Sequence, residues 1–574
     1  MNKNNTKKIT ISWFFIAIIV FAIIKQILVA NLPIVANTAE KFDDGWMMKL
    51  AYNIANGNWL GEFDSNTLMK ELFAPIYLGI CSKLGLSFIG TTTLLYTIGC
   101  IVFVYAIEEL FKSKWSLFLI YLVLLFNPVS YMSWTLQRVY RCGLTLIEVL
   151  VLFGCFFALY IKRRKRTTSL IPWSITAGLS LAATYHTRED RIWILPFVAV
   201  VTIVLIINTI VSSKKKDEKI KIKNINYKRL IVVILPIIIL QLSNNILSYY
   251  NNKYYGLYTY NIIDDSNFSR AVSCFYKVKT EDDSIMPRIS VPVSKLDVLY
   301  EISPTLSSIK DTLSAQWGAW GYAHEGQNEN GMIIWPLISA VEECGYYESA
   351  KKADDFYKAV ADEIEEAIAN KKVESRAAMP SPLMPPWRKE YCTQLPKTMF
   401  GLTVDTIKFI NMSAECNQGK NDQEENVRFA EAITNDLAIK NESDQAILEK
   451  QKLVNRVNKI VPIYSCLFPI IAILGVISYI LITIRVIINL KKKDTNNVDT
   501  WLILTALLLS YVVLIGGVSY NDIASVNSTY YMYRSGGYPL IITFAMTSSM
   551  YVIENIFMQK KYKNKEEKFD EENV

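Results

Sequence analysis

The sequence predicts a polytopic α-helical membrane protein with about ten transmembrane helices and one large, mainly helical insert outside the membrane. Three observations predict it. Of the 574 residues, 51% are hydrophobic although 20% are charged. Runs such as Ile9–Leu32 and Leu230–Leu247 hold roughly 20 mostly apolar residues each, the length that spans a hydrocarbon core. The basic residues sit in short clusters beside such runs, where they orient a membrane protein. The net charge of +8 therefore gives no reason to expect a nucleic-acid partner.

The chain opens with Lys3, Lys7 and Lys8 ahead of an apolar run. That run is too long for the core of a signal peptide and no small-residue cleavage site follows it, so a retained helix is expected. The clusters Lys7-Lys8, Lys112/Lys114, 162–166, Lys214-Lys215-Lys216, Lys491-Lys492-Lys493 and Lys560-Lys561 are expected on the cytoplasmic side. Crossings between them balance with spans near 9–31, 88–110, 116–132, 143–161, 169–185, 191–212, 229–248, 461–488, 500–519 and 538–557. They fail to balance if Leu72–Leu84 also crosses. That segment has ~13 residues where roughly 20 are needed, and it contains Pro75 and Lys83. An interfacial helix is expected there.

The organisation read from this count has four parts. Residues 1–248 form an N-terminal transmembrane module whose first outer loop is 33–87. Residues 249–460 form an extracytoplasmic, mainly helical domain. Residues 461–557 supply the C-terminal transmembrane helices, and 558–574 a charged cytoplasmic tail. Both termini are then cytoplasmic and the protein is a multi-pass resident of the plasma membrane. Within the insert, Glu342–Lys371 and Asn421–Asn458 read as long amphipathic helices, and Met379–Trp387 as a Pro-rich extended segment. Trp317, Trp320, Trp335 and Trp387 fit either a packed core or a sugar-binding cleft.

Metal and disulfide chemistry find little support. The nine cysteines are scattered without the close paired spacing of a zinc site, no disulfide framework is legible, and there are two histidines. No metal ligand set is assigned. Need for a divalent cation is left open.

Chemistry concentrates in the outer segments. The first loop leaves the membrane with Asp43 and Asp44 side by side, followed by an apolar helix from Trp46, a Gly57-Asn58-Trp59 turn, and Lys70-Glu71 ahead of the interfacial helix. Two acidic residues at a membrane exit also suit a helix cap. Arg138, Arg141, Arg188, Arg191 and Arg534 fall outside, against the orientation rule. Each singly is explained by snorkelling to lipid headgroups. Five on one face, opposite an acidic loop, also suit a shared anionic ligand.

Taken together, these elements resemble the membrane glycosyltransferases of the GT-C superfold that use polyprenyl-phosphate-linked sugars, the class of the protein O-mannosyltransferases and aminoarabinose transferases. The similarity lies in Asp43-Asp44 after the first span, in Gly57-Asn58-Trp59, and in Lys70 through Pro75-Ile76-Tyr77 to Lys83-Leu84-Gly85. Fainter echoes are the Thr187-Arg188-Glu189-Asp190 run leading to Pro196, and Tyr533-Arg534 leading to Tyr538-Pro539. The insert matches nothing in that class.

The resemblance implies a GT-C-like fold and transfer of one hexose or pentose, with inversion, from a polyprenyl-phosphate donor to a cell-envelope glycan, lipid or protein. Asp43 is the implied base, with Asp44 as substitute. Arg138, Arg141, Arg188 and Arg534 are the phosphate-binding candidates. Lys70, Glu71, His186, Glu189 and Asp190 are the substrate-binding ones, although His186 also suits a structural hydrogen bond, and Glu189 and Asp190 simple pairing with Arg188 and Arg191. Three rivals stand beside this reading: a lipid-pyrophosphate-linked glycan polymerase or ligase, a polysaccharide or lipid transporter, and a glycan-binding scaffold without catalysis. Few charges fall inside the spans, which disfavours a translocation path.

Overall fold

In the computed structural model the described residues are 13–40, 42–212, 226–281, 288–320, 326–377, 384–419, 423–440, 442–526 and 531–572. The clusters Lys7-Lys8 and Lys214-Lys215-Lys216, the start of the opening run, and residues 379–383 of the Pro-rich segment lie outside them.

The fold is all-helical. Among the described residues the only β pairing is three isolated bridges, Ile34 with Ala438, Val35 with Arg138, and Val278 with Ser375. The N-terminal module runs α1 (Trp13–Val29), α2 (Asp44–Ala55), α3 (Phe73–Lys83), α4 (Phe88–Ala106), α5 (Lys114–Leu125), α6 (Cys142–Ile161), α7 (Thr167–Tyr185), α8 (Leu195–Ser212) and α9 (Tyr227–Tyr255). The insert holds α10 (Asn267–Lys277), α11 (Val293–Ile302), α12 (Pro304–Ser307), α13 (Lys310–Trp320), α14 (Ile334–Glu343), α15 (Ala350–Ala369), α16 (Tyr391–Ile407), α17 (Glu424–Thr434) and α18 (Asp444–Asn458). The chain closes with α19 (Val461–Lys491), α20 (Val498–Ala524), α21 (Tyr531–Arg534) and α22 (Gly537–Glu572).

Among the described residues six helices are long and apolar enough to cross a membrane, or seven if the bent pair Lys114–Leu125 and Pro128–Gln137 forms one span. This makes the chain a multi-pass membrane protein. A helix does lie on each of the ten expected apolar runs, but not all meet the length and hydropathy of a span. The first, α1, has 17 described residues, and α7 is rich in Ser and Thr and contains Pro172. Helix α22 continues without a break into the expected tail as far as Glu572.

The first loop folds as expected from its pattern. Helix α2 buries Trp46, Met47, Met48, Leu50 and Ala51, and α3 buries Ala74, Pro75, Leu78, Gly79 and Cys81. The two pack so closely that a Cβ on Gly79 would lie 2.9 Å from the Ala51 carbonyl oxygen. The 11 residues of α3 rise about 16 Å, roughly half a hydrocarbon core. Trp59, at φ +48°, stacks on Tyr250 and donates through Nε1 to Asn251 Oδ1 at 3.0 Å, which ties the loop to the end of α9.

Two differences concern the insert. The expected long helices are broken: Gly345 in the left-handed region and a Ser349 cap separate α14 from α15, and Asn435, also left-handed, ends α17. The insert is also not a separate layer. Leu402 at the end of α16, and Phe409 and Met412 just beyond it, belong to the same buried cluster as Phe468, Leu507, Tyr511 and Tyr538 of α19, α20 and α22. The reason is compositional. Apolar residues there are interleaved with Lys397, Asp405 and Lys408, so no run reads as membrane-associated.

Candidate functional site: a charge-balanced cluster at the first loop

Asp43 occupies the residue before α2, where a carboxylate ordinarily caps the helix, but it makes no side-chain cap hydrogen bond. Its carboxylate turns instead to other segments. Lys70 donates to Oδ1 at 2.6 Å, the Tyr140 hydroxyl donates to Oδ1 at 3.0 Å, and Arg138 Nη2 reaches Oδ2 at 3.3 Å. The simple capping account therefore fails for Asp43. Asp44 takes the rest of Arg138: Nε donates to both oxygens at 2.9 Å, and Nη2 to Oδ2 at 2.5 Å.

Environment separates the neighbours. The Asp43 side chain is 31% exposed and that of Asp44 fully buried. For Asp43 burial works upward, but Lys70 above all, then Arg138, hold the carboxyl well below the usual range. For Asp44 burial wins over Arg138 and pushes the carboxyl up to about 6. Burial also lowers Lys70, against the pull of Asp43.

Position follows from helix ends. Lys25 of α1, buried, donates to Ser130 Oγ at 2.6 Å, fixing the bend after α5. The wide turn Ser133–Gln137 then delivers Arg138 beneath Trp134, whose ring centroid lies 5.2 Å from the guanidinium carbon. Arg141, at the head of α6, donates to Glu189 Oε1 at 2.7 Å and to the Thr187 carbonyl at 3.1 Å. Arg188 forks onto Asp190, with Nη2 2.8 Å from Oδ2. Glu189 is thus paired with Arg141, while the expected Arg188–Asp190 pair forms.

Tyr533 of α21 joins this group. Its ring faces Arg188 at 5.2 Å, burial raises its phenol, and Arg188 and Asp43 are among its charged neighbours. Arg534, next to it, points the other way, donating to the Leu402 carbonyl at 3.3 Å and Thr406 Oγ1 at 3.4 Å of α16. Of the four phosphate candidates, Arg138, Arg141 and Arg188 gather around Asp43 and Tyr533, each holding a carboxylate. Arg534 is engaged by the insert helix.

Glu71 and His186 belong to a second network. Arg191 donates to Glu71 Oε1, and its Nη2 to Asp264 Oδ2 at 2.7 Å. Asn261 also donates to Glu71. His186 Nδ1 lies 3.4 Å from Glu71 Oε2 and Nε2 3.1 Å from Ser243 Oγ. Glu71 is fully buried and His186 4% exposed. These residues bind one another.

Sequence reading missed Tyr140, Asn261, Asp264 and Glu148. Glu148 was the legible one, an acid inside an apolar run. It accepts from the Thr187 hydroxyl directly below Arg188. The tryptophans divide: Trp317 is core at 1% exposure, Trp387 is half exposed and stacked on Tyr520. Trp335 packs on Phe42 at 4.6 Å, its ring 6.0 Å from the Lys70 ammonium. Among the described residues no group of three or more His, Cys, Asp or Glu side chains is placed to hold a metal ion.

An apolar groove of about 300 Å³ runs between α6, α8 and α20, lined by Phe157, Trp193, Phe197, Val201, Ala506 and Val513 among others. Its Trp193 end lies under the cluster, because a Cβ on Gly536 would sit 3.1 Å from the Trp193 ring, three residues after Tyr533.

No family model matches the sequence, and no curated protein matches it. Among solved structures the chain is similar to ArnT from Cupriavidus metallidurans in the apo state, with 10% identity and a TM-score of 0.30 over 89% of this chain and 77% of that one. A likeness that loose gives no residue of this chain a role.

Proposed function

We propose that this protein is a membrane glycosyltransferase that moves one sugar from a polyprenyl-phosphate carrier to a cell-envelope acceptor at the loop end of the bundle, with inversion. The observation that carries the reading is Asp43, a partly exposed carboxylate gripped by Lys70, Tyr140 and Arg138 beside a sealed twin. In the proposed step an acceptor hydroxyl oxygen attacks the anomeric carbon and its proton passes to Asp43. The bond from that carbon to the phosphate oxygen breaks, and polyprenyl phosphate leaves with the electron pair. A carboxylate at the water–lipid boundary suits general-base work. The cations that hold Asp43 down in the free protein are the ones an incoming phosphate would attract, and their departure would raise its basicity. The apolar groove ending at Trp193 suits the isoprenoid tail.

The balance of charges matters here. Lys70, Arg138, Arg141 and Arg188 face Asp43, Asp44, Glu189 and Asp190, so phosphate binding requires displacing a carboxylate. The Asp190 side chain is the most exposed of the four, at 38%, and is the natural one to yield. The same full pairing favours a second reading, a braced, non-catalytic glycan-binding protein. Purified protein in lipid nanodiscs, supplied with a radiolabelled polyprenyl-phosphate sugar, separates them. Release of polyprenyl phosphate by the wild type and its loss in Asp43→Asn/Asp44→Asn supports the enzyme. A well-folded double variant as active as wild type ends it.

A further inference from the structure

A cleft of about 320 Å³ with several polar side chains in its walls is lined in part by Arg138. That volume is at the lower end of small-ligand cavities, about 300–1,000 Å³, and holds about one or two sugar rings. Its walls come from three distant segments: Asn37 and Glu40 of the first loop, Trp134 of the turn before Arg138, and Glu415, Asn417 and Gln418 of the insert.

The cleft is built, not left over between loose loops. Val35 donates to the Gln137 carbonyl at 2.9 Å and Ser133 to the Ser413 carbonyl at 2.9 Å. Fully buried Gln137 joins all three walls. Its Nε2 donates to the carbonyls of Pro33 at 2.9 Å and Glu415 at 2.6 Å, and its Oε1 accepts from Glu415 N–H at 2.8 Å. Gly419, at φ +67°, lies so close to the first loop that a Cβ would meet the Ala36 carbonyl oxygen at 2.4 Å.

The cleft also touches the candidate base through its walls. The Glu40 carbonyl accepts from Asp43 N–H at 3.0 Å, and Arg138 lines the cleft while holding both Asp43 and Asp44. Its chemistry is an indole face, carboxamides and two carboxylates. Aromatic faces stack on the apolar faces of sugars, and carboxamides and carboxylates bond to hydroxyls. Among the described lining residues Arg138 is the one cation and is already paired with Asp44, so the carboxylates of Glu40 and Glu415 disfavour an anionic ligand.

Resting on the glycosyltransferase reading, we infer that this cleft is the acceptor subsite. It takes a neutral or amine-bearing saccharide, stacked on Trp134 and gripped by the insert loop 415–419. The insert thereby selects the acceptor, while the first loop and α21 handle the donor.

The test uses the full chain in nanodiscs and three fluorescent probes: cellotetraose, chitosan tetramer and tetragalacturonate. Binding is read for wild type and for Asn417→Ala/Gln418→Ala, whose side chains border the cleft away from the charge cluster. Binding of polyprenyl phosphate is read in parallel. The expected result is saturable binding of cellotetraose or chitosan tetramer, weakened about tenfold in the double variant by loss of two ordinary hydrogen bonds, with polyprenyl phosphate bound equally by both proteins. Trp134→Ala should weaken the same probe and Trp134→Phe restore most of it. Preference for tetragalacturonate, binding of none of the probes, or equal binding by wild type and double variant overturns the acceptor assignment. If wild type fails to bind polyprenyl phosphate, it is the glycosyltransferase reading that falls.

Discussion

Two ionic networks sit side by side in this molecule, built from the same residue types. The one around Asp43 keeps an open edge, with Asp43 31% and Asp190 38% exposed. The one around Glu71 is sealed at its centre, with Glu71 and Asn261 at 0% and His186 at 4%, and is wetted at its rim, where the Asp264 side chain is 22% exposed. Both pair their carboxylates with cations, so ion pairing does not tell them apart. Access does. A buried pair whose every lone pair is occupied braces the loop against α9 and the insert, whereas a paired carboxylate with a wet face can exchange its partner for substrate.

Substitutions in each network sharpen this contrast. The largest expected effect is on chemistry at the open one: Asp43→Asn lowers sugar transfer by ~10²–10⁴-fold, measured by product release at saturating donor. Asp44→Asn, at a fully buried site, costs less activity.

At the sealed network the order reverses. Glu71→Ala takes the buried carboxylate from Arg191 and Asn261 and leaves Arg191 only Asp264, and breaking a buried pair costs about 3–5 kcal/mol. The variant should therefore unfold at markedly lower temperature by a detergent-based thermal assay. A variant of Glu71 that is stable but inactive would erase the distinction drawn here.

A third change moves affinity upward. Asp190→Asn frees the Arg188 fork, and a charge-assisted contact is worth about 1.5–3 kcal/mol. Polyprenyl phosphate should bind roughly tenfold tighter, as read by competition with a fluorescent analogue. Weaker binding would place Asp190 among the groups that hold the sugar.

The smallest effect is one of pH. Asp436, which accepts from Ser87 Oγ and Ile89 N–H at the start of α4, is pushed up to about 6 by burial. Its unfolded value is near 4, so between about 4 and 6 the folded chain binds more protons. Stability from this group then falls as pH rises through that window. Asp43 is shifted the other way, and its contribution is lost only as pH falls below the ordinary carboxylate range. Melting temperatures of wild type and Asp436→Asn should diverge as pH rises from 4 to 7, and parallel curves would refute the assignment.

The span-like helices and the short helix α3 were legible because apolar length is a local property. Asp43-Asp44 was legible as a pair, and Arg138 and Arg188 as anomalies of sidedness. Which carboxylate meets which guanidinium was not, since Arg138 lies 94 residues from Asp44 and Arg191 lies 120 from Glu71. Such partners are chosen by packing. Helix α16 was hidden for a different reason: its charges mask an apolar face that is visible only beside α20. Trp134 and Gln137 stand beside Arg138 in the sequence, but the wall opposite them comes from residue 415, and no pattern in either stretch announces the other.

That last wall has a consequence for how the protein is made. Gln137 and Glu415 are 278 residues apart in the chain. At about 5–20 residues per second, the ribosome needs roughly 15–60 s to bring the second after the first. For that interval the first loop and the turn at Trp134 stand uncovered at the membrane surface. The Ser87 hydroxyl waits longer still for Asp436, 349 residues on. The helices of the N-terminal module are in place first, and the cleft beside Arg138 is among the last features to close. A nascent chain released early would carry Asp43 and Arg138 but not the wall at residues 415–419 that completes the cleft.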